Sequence, residues 1–585
     1  MANSYIKNKI PLGKLLKRTW KYIRKEKVAF IISLLLIVGN VALGVIIPRI
    51  SGYFTDYITQ TDISKISLNH IIFIAVGSFL FSLTSQAIAF LESIILTKAG
   101  QRIVYALRME TFTHIENLSQ NQFNDLAVGS LVTVVCSYTS QLSEFFTNTL
   151  VKIVKDLLTV IIVYIWMVVL SPQLGLIMLG VIALIFVISF VFSSQVHKIF
   201  TKERLQLSEL NTFLNESLSG MKIIQLFKQE EKYLKIFNKK NHEYFKTKYA
   251  VTIAFSIYRP LVSLIYVLTV ALIIYMGVNL GLTAGIIVSF YFFLNYFFEP
   301  VQSLADALNH VTRAISAIER LYNILDIVPE VVDKPEAIEM NEFKGKIEFK
   351  HVYFAYEEDN WILKDVSFVI NPKETVAFVG ATGAGKTTIL NLIVRNFEIQ
   401  SGQILIDDVD INDIKLSSLR RGVGQMLQDV FLFTGSIKDN ITLFDDSYNE
   451  EEINDAVKYV NADTFIDRLD KGLETEIVEK GENFSTGQRQ LLSFARTIIH
   501  KPQIMILDEA TANIDTETEL IIQESLNNIK NIGTMLVVAH RLSTIQNADK
   551  IIVLSHGEII ESGNHEELIE LGGYYYNLYK LQFEQ

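Results

Sequence analysis

The stretch TVAFVGATGAGKTTILNLI, residues 375–393, places a glycine-rich turn between an apolar strand and a helix. Its centre matches the pattern G-x-x-x-x-G-K-[ST]. The eight matching residues are Gly380, Ala381, Thr382, Gly383, Ala384, Gly385, Lys386 and Thr387, and Thr388 follows them. The glycines let backbone N–H groups face phosphate oxygens, and the N-terminus of the helix adds a favourable dipole. Lys386 can neutralise the outer phosphates of a nucleotide, and the Thr387 hydroxyl can bind Mg²⁺. The stretch therefore predicts a nucleotide-binding α/β domain.

A second stretch, PQIMILDEATANID, supplies two carboxylates about 120 residues after the glycine loop. Residues 504–507 are predicted to form a buried strand that ends at Asp508 and Glu509. Asp508 would hold Mg²⁺ through water, and Glu509 would act as general base or orient the attacking water. The combination of the loop and these two acids indicates hydrolysis of a nucleotide rather than binding alone.

Three further polar residues are candidates for the same site. Gln428 follows an apolar strand and could contact the metal and a neighbouring domain, and His540 ends another strand and could donate to the terminal phosphate. Tyr356 could stack on a base through its ring face. Each has a structural alternative that the sequence leaves open: a strand-end Gln, a buried His with a backbone partner and a core Tyr.

The rest of the chain has a different composition. The 585 residues suggest two to four domains, and half of them are hydrophobic. Long charge-free stretches lie before residue 300, whereas charged residues are spread evenly beyond it. The first part therefore reads as membrane-embedded and the second as soluble. The net charge of -10 argues against a general nucleic-acid binder, and a single cysteine excludes an intramolecular disulfide.

Four apolar windows reach the length of about 20 residues that a membrane span needs. Residues 28–48 and 71–91 are predicted as one span each. Residues 157–196 contain Ser171-Pro172 near their middle, and residues 260–298 are interrupted by Gly277, Asn279 and Gly281, so each is predicted as two helices. The total is six spans.

The segment before the first span holds nine Lys or Arg residues against one Glu. Basic flanks stay in the cytoplasm, so both chain termini are predicted there. Residues 1–27 are predicted to contain an amphipathic interfacial helix, residues 28–325 the transmembrane domain, residues 326–343 a linker and residues 344–585 the nucleotide-binding domain. Residues 92–156 and 197–259 are then two long cytoplasmic helical hairpins.

The last span carries seven aromatic residues in FYFFLNYFFEP, residues 290–300. These rings could form an adaptable apolar surface for a ligand, or they could simply pack against lipid. Five charged residues lie at the span edges: Lys152, Lys155, Asp156, Arg259 and Glu299. They are candidates for function, but side chains that extend to the membrane interface are the favoured explanation.

These motifs resemble those of the ATP-binding cassette (ABC) family, in the family's order. Besides the loop, Gln428, the Asp508-Glu509 pair and His540, the chain has a signature segment at Ser485–Gln488 and a D-loop, ANID, that ends at Asp515. Six spans ahead of one cassette resemble a half-transporter of the ABC exporter type. The resemblance implies the type I exporter fold, also called type IV, followed by a P-loop cassette, with ATP and Mg²⁺ as cofactors.

The resemblance also implies that the signature segment contacts ATP held by the opposite subunit of a dimer. Ser485, Gly487 and Gln488 match the family pattern LSGGQ, whereas Phe484 and Thr486 differ from it. Thr is β-branched and bulkier than Gly, so the site that this segment completes should be weakened. With its own Lys386 and Glu509 intact, the chain resembles the consensus subunit of heterodimeric bacterial multidrug exporters. A homodimer that tolerates Thr486 is the alternative.

The expected function is therefore ATP-driven export of small amphipathic or lipophilic molecules across a bacterial plasma membrane. A lipid or peptide exporter of the same architecture is the nearest alternative. An ATP-gated channel or a sensor that hydrolyses ATP without pumping is an alternative of another class. The expected partners are a second half-transporter subunit, the bilayer and the substrate, with no nucleic acid.

Overall fold

The computed structural model describes residues 10–61, 66–357, 360–426, 430–508, 516–530, 532–538 and 545–583. The chain divides into two compact units. One consists of Met1–Glu116 and Ala127–Ile327, and the other of Asn117–Leu126 and Val328–Gln585.

Helices make up the first unit. They are α1 Leu12–Ile23, α2 Lys27–Gln60, α3 Leu68–Glu116, α5 Val128–Val132, α6 Thr139–Glu144, α7 Leu150–Leu170, α8 Pro172–Ser219, α9 Met221–Leu226, α10 Glu230–Asn279 and α11 Ala284–Leu325, while α4, Gln120–Asp125, belongs to the second unit. A 3₁₀ turn, Arg24–Glu26, joins α1 to α2. Two π-helical turns, Thr133–Tyr138 and Phe145–Thr149, connect α5, α6 and α7.

Both predicted interruptions of the long apolar windows are confirmed. Helix α7 ends at Leu170, and α8 begins at Pro172 with the Ser171 hydroxyl accepting a hydrogen bond from Leu174 N at 3.4 Å. Helix α10 ends at Asn279, and α11 begins at Ala284. Proline at the first helical position and a Ser cap are the ordinary start of a helix, which is why the sequence located the break correctly.

The predicted span at residues 28–48 ends 12 residues before the helix that contains it does. Helix α2 continues through Pro48 to Gln60, and α10 likewise passes through Pro260. Proline is tolerated in membrane helices because neighbouring helices and side chains satisfy the backbone groups that it frees. Five helical stretches of the described residues are long and apolar enough to cross a membrane, and the sixth predicted span lies in α11, where Ala284–Pro300 is a shorter apolar helix.

Helices α2 and α11 approach each other closely at one end. A Cβ atom built on Gly52 would overlap Ser289 Oγ and the Gly285 carbonyl oxygen. Beside this contact, Asp56 accepts hydrogen bonds from Gly285 N at 2.7 Å and from Thr283 Oγ at 2.8 Å. A carboxylate at the N-terminus of a helix satisfies its free N–H groups and complements its dipole. Small residues and one acid therefore join α2 to α11.

Helix α1 is amphipathic, as predicted. Leu15 and Tyr22 are buried, whereas Trp20 keeps 60% of its surface exposed. The helix is fixed to the end of α11, because Arg18 donates to Asp326 at 2.9 Å and lies 4.9 Å from the centre of the Tyr322 ring.

The described residues of the second unit form three sheets. Their strands are β1 Ile347–Ala355, β2 Trp361–Ile370, β3 Thr375–Val379, β4 Ser401–Ile406, β5 Val409–Asp410, β6 Val423–Met426, β7 Gly435–Ser436, β8 Glu476–Ile477, β9 Ile504–Asp508, β10 Thr534–Val538, β11 Lys550–Ser555 and β12 Glu558–Gly563. The largest sheet has the order β12-β11-β3-β10-β9-β6, and β12 is its only antiparallel strand among the described residues. An antiparallel sheet of order β2-β1-β4-β5 lies in the same unit.

Helices surround the sheets of this unit. They are α12 Lys386–Ile393, α13 Leu416–Gly422, α14 Ile437–Thr442, α15 Glu450–Tyr459, α16 Asp463–Ile466, α17 Thr486–Ile499, α18 Thr516–Ile529, α19 His565–Leu571 and α20 Tyr574–Phe583. Alternate residues of β9 belong to different hydrophobic cores: Met505 and Leu507 pack in one, and Ile504 and Ile506 in the other. The parallel sheet is thus covered on both faces, as such sheets require.

Candidate nucleotide site

The glycine loop follows β3, whose five residues are all buried. Gly385 has a φ of 104° and a Cβ there would lie 2.6 Å from Leu363 Cδ2, while a Cβ on Gly380 would overlap the Leu554 carbonyl oxygen. Only glycine fits these two positions, because one needs left-handed backbone and the other has no room for a side chain. The strand–loop–helix arrangement predicted from residues 375–393 is confirmed.

Lys386 begins α12 and is 7% exposed. Its Nζ donates to the carbonyl oxygens of Gly380 at 2.7 Å and Ala381 at 3.1 Å. Burial lowers the pKa of Lys386, and the charge of Asp508 acts in the opposite direction. Backbone oxygens thus hold the ammonium group inside the loop, and phosphate oxygens are stronger partners for such a group.

The carboxyl ends of four parallel strands meet at one edge of the large sheet. In register, Val538 of β10 lies beside Asp508 of β9 and beside Phe378 of β3, and Met426 of β6 lies beside Leu507. The glycine loop and Asp508 therefore occupy the same edge, which is where open α/β sheets bind ligands. Four predicted site residues lie outside the described residues: Gln428, Glu509, Asp515 and His540.

Tyr356 lies beside the helix that starts at the glycine loop. Its hydroxyl and that of Thr388 are 3.1 Å apart, and its ring makes edge contacts with Phe354 and Phe397. Tyr356 keeps 41% of its surface exposed, so the core-Tyr alternative is wrong. A ring that is held at its edges and exposed elsewhere is suited to stacking on a base.

The signature segment forms the start of α17. Ser485 caps this helix: its Oγ accepts from Gln488 N at 3.2 Å, and Gln488 Oε1 accepts from Ser485 N at 2.9 Å. This capping box fixes both side chains. Ser485 Oγ acts only as an acceptor in it, so its O–H group can still donate a hydrogen bond to a ligand. The exposed helix N-terminus and that hydroxyl are together suited to an anion such as phosphate.

The two departures from the signature pattern have different surroundings. Phe484 is 7% exposed and packs near Phe465, so it serves the core. Thr486 is exposed at the first position of α17, where its Oγ accepts from Arg489 Nη2 at 3.3 Å. Its side chain therefore adds volume on the open end of the helix, where Gly would add none.

Arg496 of α17 is a residue that the sequence reasoning missed. Its guanidinium donates to the carbonyl oxygens of Asn440 at 2.8 Å and Phe431 at 3.0 Å. Asn440 is fully buried and exchanges hydrogen bonds of 2.8 Å with the backbone of Phe433. These bonds tie the signature helix to the segment that follows Gln428. No local pattern reveals them, because Arg496 is 56 positions from Asn440.

Residues of this sheet edge are suited to Mg²⁺. The described residues contain no cluster of three or more His, Cys, Asp or Glu side chains that could hold a metal alone. Mg²⁺ in nucleotide sites is instead bound by one or two protein oxygens together with phosphates. Thr387, exposed in the first turn of α12, and Asp508, at the end of β9, offer such oxygens.

Two family models match the chain. Residues 30–301 match the ABC transporter transmembrane region, and residues 363–512 match the ABC transporter domain that follows it.

Individual relatives match almost the whole chain. The Bacillus subtilis protein named "Putative multidrug export ATP-binding/permease protein YgaD" is 33% identical and the match covers 97% of this chain and 99% of that protein. The ATP-dependent lipid A-core flippase of Syntrophus aciditrophicus is 34% identical, with 88% and 86% covered. A bacterial Atm1-family ABC exporter solved with ATP bound has a TM-score of 0.79 at 24% identity, with 96% of this chain and 98% of that chain covered.

The chain belongs to the ABC transporter family. It is an ABC exporter in which a helical transmembrane domain of the type IV, Atm1-like fold is fused to one ATP-hydrolysing cassette. Because each chain carries one transmembrane domain and one cassette, such exporters function as dimers.

Proposed function

We propose that the protein exports amphipathic or lipophilic small molecules across a bacterial plasma membrane by alternating access. The observation that carries the substrate class is an exposed aromatic surface in the last span. Phe290, Phe293 and Phe297 are fully buried, whereas Tyr291 and Tyr296 keep 45% and 38% of their surface exposed. The run of seven aromatics thus has one face for packing and another that is free in the single chain.

The exposed face also has polar groups. Tyr266 of α10 donates to Asn295 Oδ1 at 3.1 Å, and Asn295 Nδ2 donates to the Tyr291 carbonyl oxygen at 3.2 Å. Rings combined with a few hydroxyl and amide groups suit molecules that are apolar with a small polar part. This composition supports an amphipathic cargo.

ATP supplies the energy for the proposed cycle. Lys386 would hold the outer phosphates, Thr387 and Asp508 would hold Mg²⁺, and Glu509 would orient the attacking water with His540 at the terminal phosphate. The metal would neutralise the charge that develops on the phosphates. Closure of two cassettes around ATP requires that ATP binds the closed state more tightly than the open state. The bridging contacts from Ser485, Gly487 and Gln488 would provide that difference, with Thr486 and Asp515 at the same junction.

The partner in this proposal is a different half-transporter. Thr486 adds a β-branched side chain at the exposed N-terminus of α17, which supports a weakened site in the partner subunit. The residues of this chain that serve its own ATP, Lys386 and Glu509, match the family pattern. One hydrolytic site and one degenerate site are the expected result.

Copurification tests the heterodimer. The tagged chain is expressed alone and with the product of any neighbouring half-transporter gene, and subunit content and ATP turnover are measured. We expect turnover to rise at least about tenfold when the second subunit copurifies, because only a different subunit would bring a signature without Thr486 to the site that holds Lys386 and Glu509. Full activity of the chain alone would establish a homodimer and make Thr486 a tolerated variant.

Export of a lipid is the second candidate, because the flippase of Syntrophus aciditrophicus aligns with most of this chain. The two candidates differ in cargo, and a comparison of the transport rates of two cargoes distinguishes them. Reconstituted transporter would move a fluorescent amphipathic dye faster than a fluorescent phospholipid if the first proposal is right. The opposite order would favour the lipid.

A further inference from the structure

Helix α1 carries its basic side chains on one face. Lys14, Lys17, Arg18 and Lys21 are spaced i, i+3, i+4 and i+7 and line a cavity of about 620 Å³, to which α3 and α11 also contribute. On the other side of α1, Leu15 and Thr19 are each 3% exposed. Because that side of α1 is buried, the basic face is the one that lines the cavity.

The cavity has more positive than negative groups. Its acids are Glu110 of α3, which accepts from the Tyr22 hydroxyl and lies 3.9 Å from Lys21 Nζ, and the nearby Asp326, which is paired with Arg18. Lys14 and Lys17 have no acidic partner among the described residues, and both are exposed. Two positive charges therefore remain uncompensated in this part of the chain.

A further polar group in the cavity wall has no hydrogen-bond partner. His114 of α3 lines the cavity, and its Nε2 is buried without a partner among the described residues. A buried polar atom without a partner carries an energetic cost that a bound ligand would remove. Two free ammonium groups and this ring nitrogen together are suited to a group rich in acceptor oxygens, and phosphate is the common biological example.

We propose that this cavity binds the phosphate of an anionic lipid headgroup at the cytoplasmic side of the membrane. Helix α1 lies directly before the first membrane helix, α2, with only the turn Arg24–Glu26 between them. Trp20, next to the cationic face, is 60% exposed, and Trp beside basic residues is typical of the membrane interface. The volume suits a headgroup. The lipid is a bound component that holds α1 in place, distinct from the transported cargo.

Thermal unfolding of the full-length transporter tests this site. The delipidated protein is titrated with dihexanoyl phosphatidylglycerol, dihexanoyl phosphatidylcholine or sodium phosphate, and the rise in melting temperature gives an apparent Kd. We expect phosphatidylglycerol to bind the Lys14→Gln/Lys17→Gln variant at least about tenfold more weakly than wild type, since one basic residue near anionic lipid changes affinity about fivefold.

A matched control removes the same charge elsewhere. The Arg24→Gln/Lys25→Gln variant changes two basic residues in the turn between α1 and α2, which do not line the cavity, and should bind within about twofold of wild type. An equal loss in both variants would overturn the site, because it would show only general attraction to negative charge. Equal binding of phosphatidylcholine would also overturn it, and an equal effect of sodium phosphate would overturn the lipid as the source of the phosphate.

Discussion

Single residues at the cassette show how local structure prepares the nucleotide site. Lys386 is already desolvated and held by loop carbonyl oxygens, and Ser485 is already fixed by its capping box with Gln488. Side chains that are held before the ligand arrives lose little entropy on binding. Within the ranges that the structure describes, the fold of the chain itself therefore fixes Lys386, Ser485 and Gln488.

Tyr356 provides a test of base stacking. The Tyr356→Ala variant should bind ATP about 5- to 160-fold more weakly, because stacking of an aromatic ring on a base contributes about 1–3 kcal/mol. Tyr356→Phe keeps the ring and loses only the contact with the Thr388 hydroxyl, so its affinity should stay within about threefold of wild type. Titration with a fluorescent ATP analogue measures both. A Phe variant as weak as the Ala variant would assign the effect to the hydroxyl instead.

His500, at the end of α17, should make stability depend on pH. Burial lowers the pKa of His500 below its ordinary value, with its Nδ1 2.8 Å from the Tyr448 hydroxyl. The unfolded chain then binds a proton at a higher pH than the folded chain, so stability falls as the pH drops below about 6.5.

The variant His500→Gln should lose part of that dependence. The measurement is the melting temperature of the full-length protein at pH 7.5 and pH 5.5, in wild type and variant. A fall on acidification that is identical in the two proteins would exclude His500 as its source.

The sequence predicted the residue-scale features that are local in the chain. The glycine loop is recognisable because its strand, turn and helix are consecutive, and the signature because its residues are adjacent and resemble the family pattern. The bonds of Arg496 to Asn440 and Phe431 were not predictable, because the fold brings distant positions together. The roles of Gln428, Glu509, Asp515 and His540 stay predictions.

At the scale of elements, the close contact between α2 and α11 depends on the absence of side chains. The Gly52→Ala variant should separate the two helices and strain the Asp56 bonds to Gly285 and Thr283. Overpacking of this kind costs about 1–3 kcal/mol. We therefore expect a lower melting temperature and less transport.

The control for this substitution lies in the same helix. A Cβ on Gly39 would have no atom within 4 Å in the described chain, so Gly39→Ala should leave the melting temperature unchanged or slightly raised. Transport and melting temperature of both variants are measured in parallel. If Gly52→Ala behaves like Gly39→Ala, the contact between α2 and α11 accommodates the added methyl group, and the close approach of the two helices is not needed for stability or transport.

Helix boundaries show where local signals are sufficient. Ser171-Pro172 and the glycines near Gly277 marked real helix ends, because capping and flexible residues act on the adjacent backbone. Pro48 and Pro260 were poorer guides, since whether a proline ends a membrane helix depends on the packing of other helices around it. The same limit applies to the aromatic run of residues 290–300. Which of its rings are buried and which are exposed depends on the packing of the whole helix bundle.

At the scale of the whole molecule, hydropathy alone separated a membrane part from a soluble part. The two compact units and the order of their elements agree with the exporter fold that the motifs implied. The cargo and the partner subunit were not predictable in the same way. Both depend on surfaces that are completed by a second chain, and the sequence of one chain contains only half of each surface.

If the protein is an exporter of this kind, ATP hydrolysis drives vectorial movement of an amphipathic molecule. The most direct test is uptake of a fluorescent amphipathic dye into inside-out vesicles that contain the assembled transporter, with and without Mg²⁺ and ATP. We expect ATP-dependent accumulation by wild type. Glu509→Gln should still bind ATP, but it should show no accumulation and at least about 100-fold lower ATP turnover, because the variant lacks the group that orients water. ATP turnover by wild type without movement of dye or lipid, or an ion current opened by ATP, would show that the protein is not an exporter of this kind.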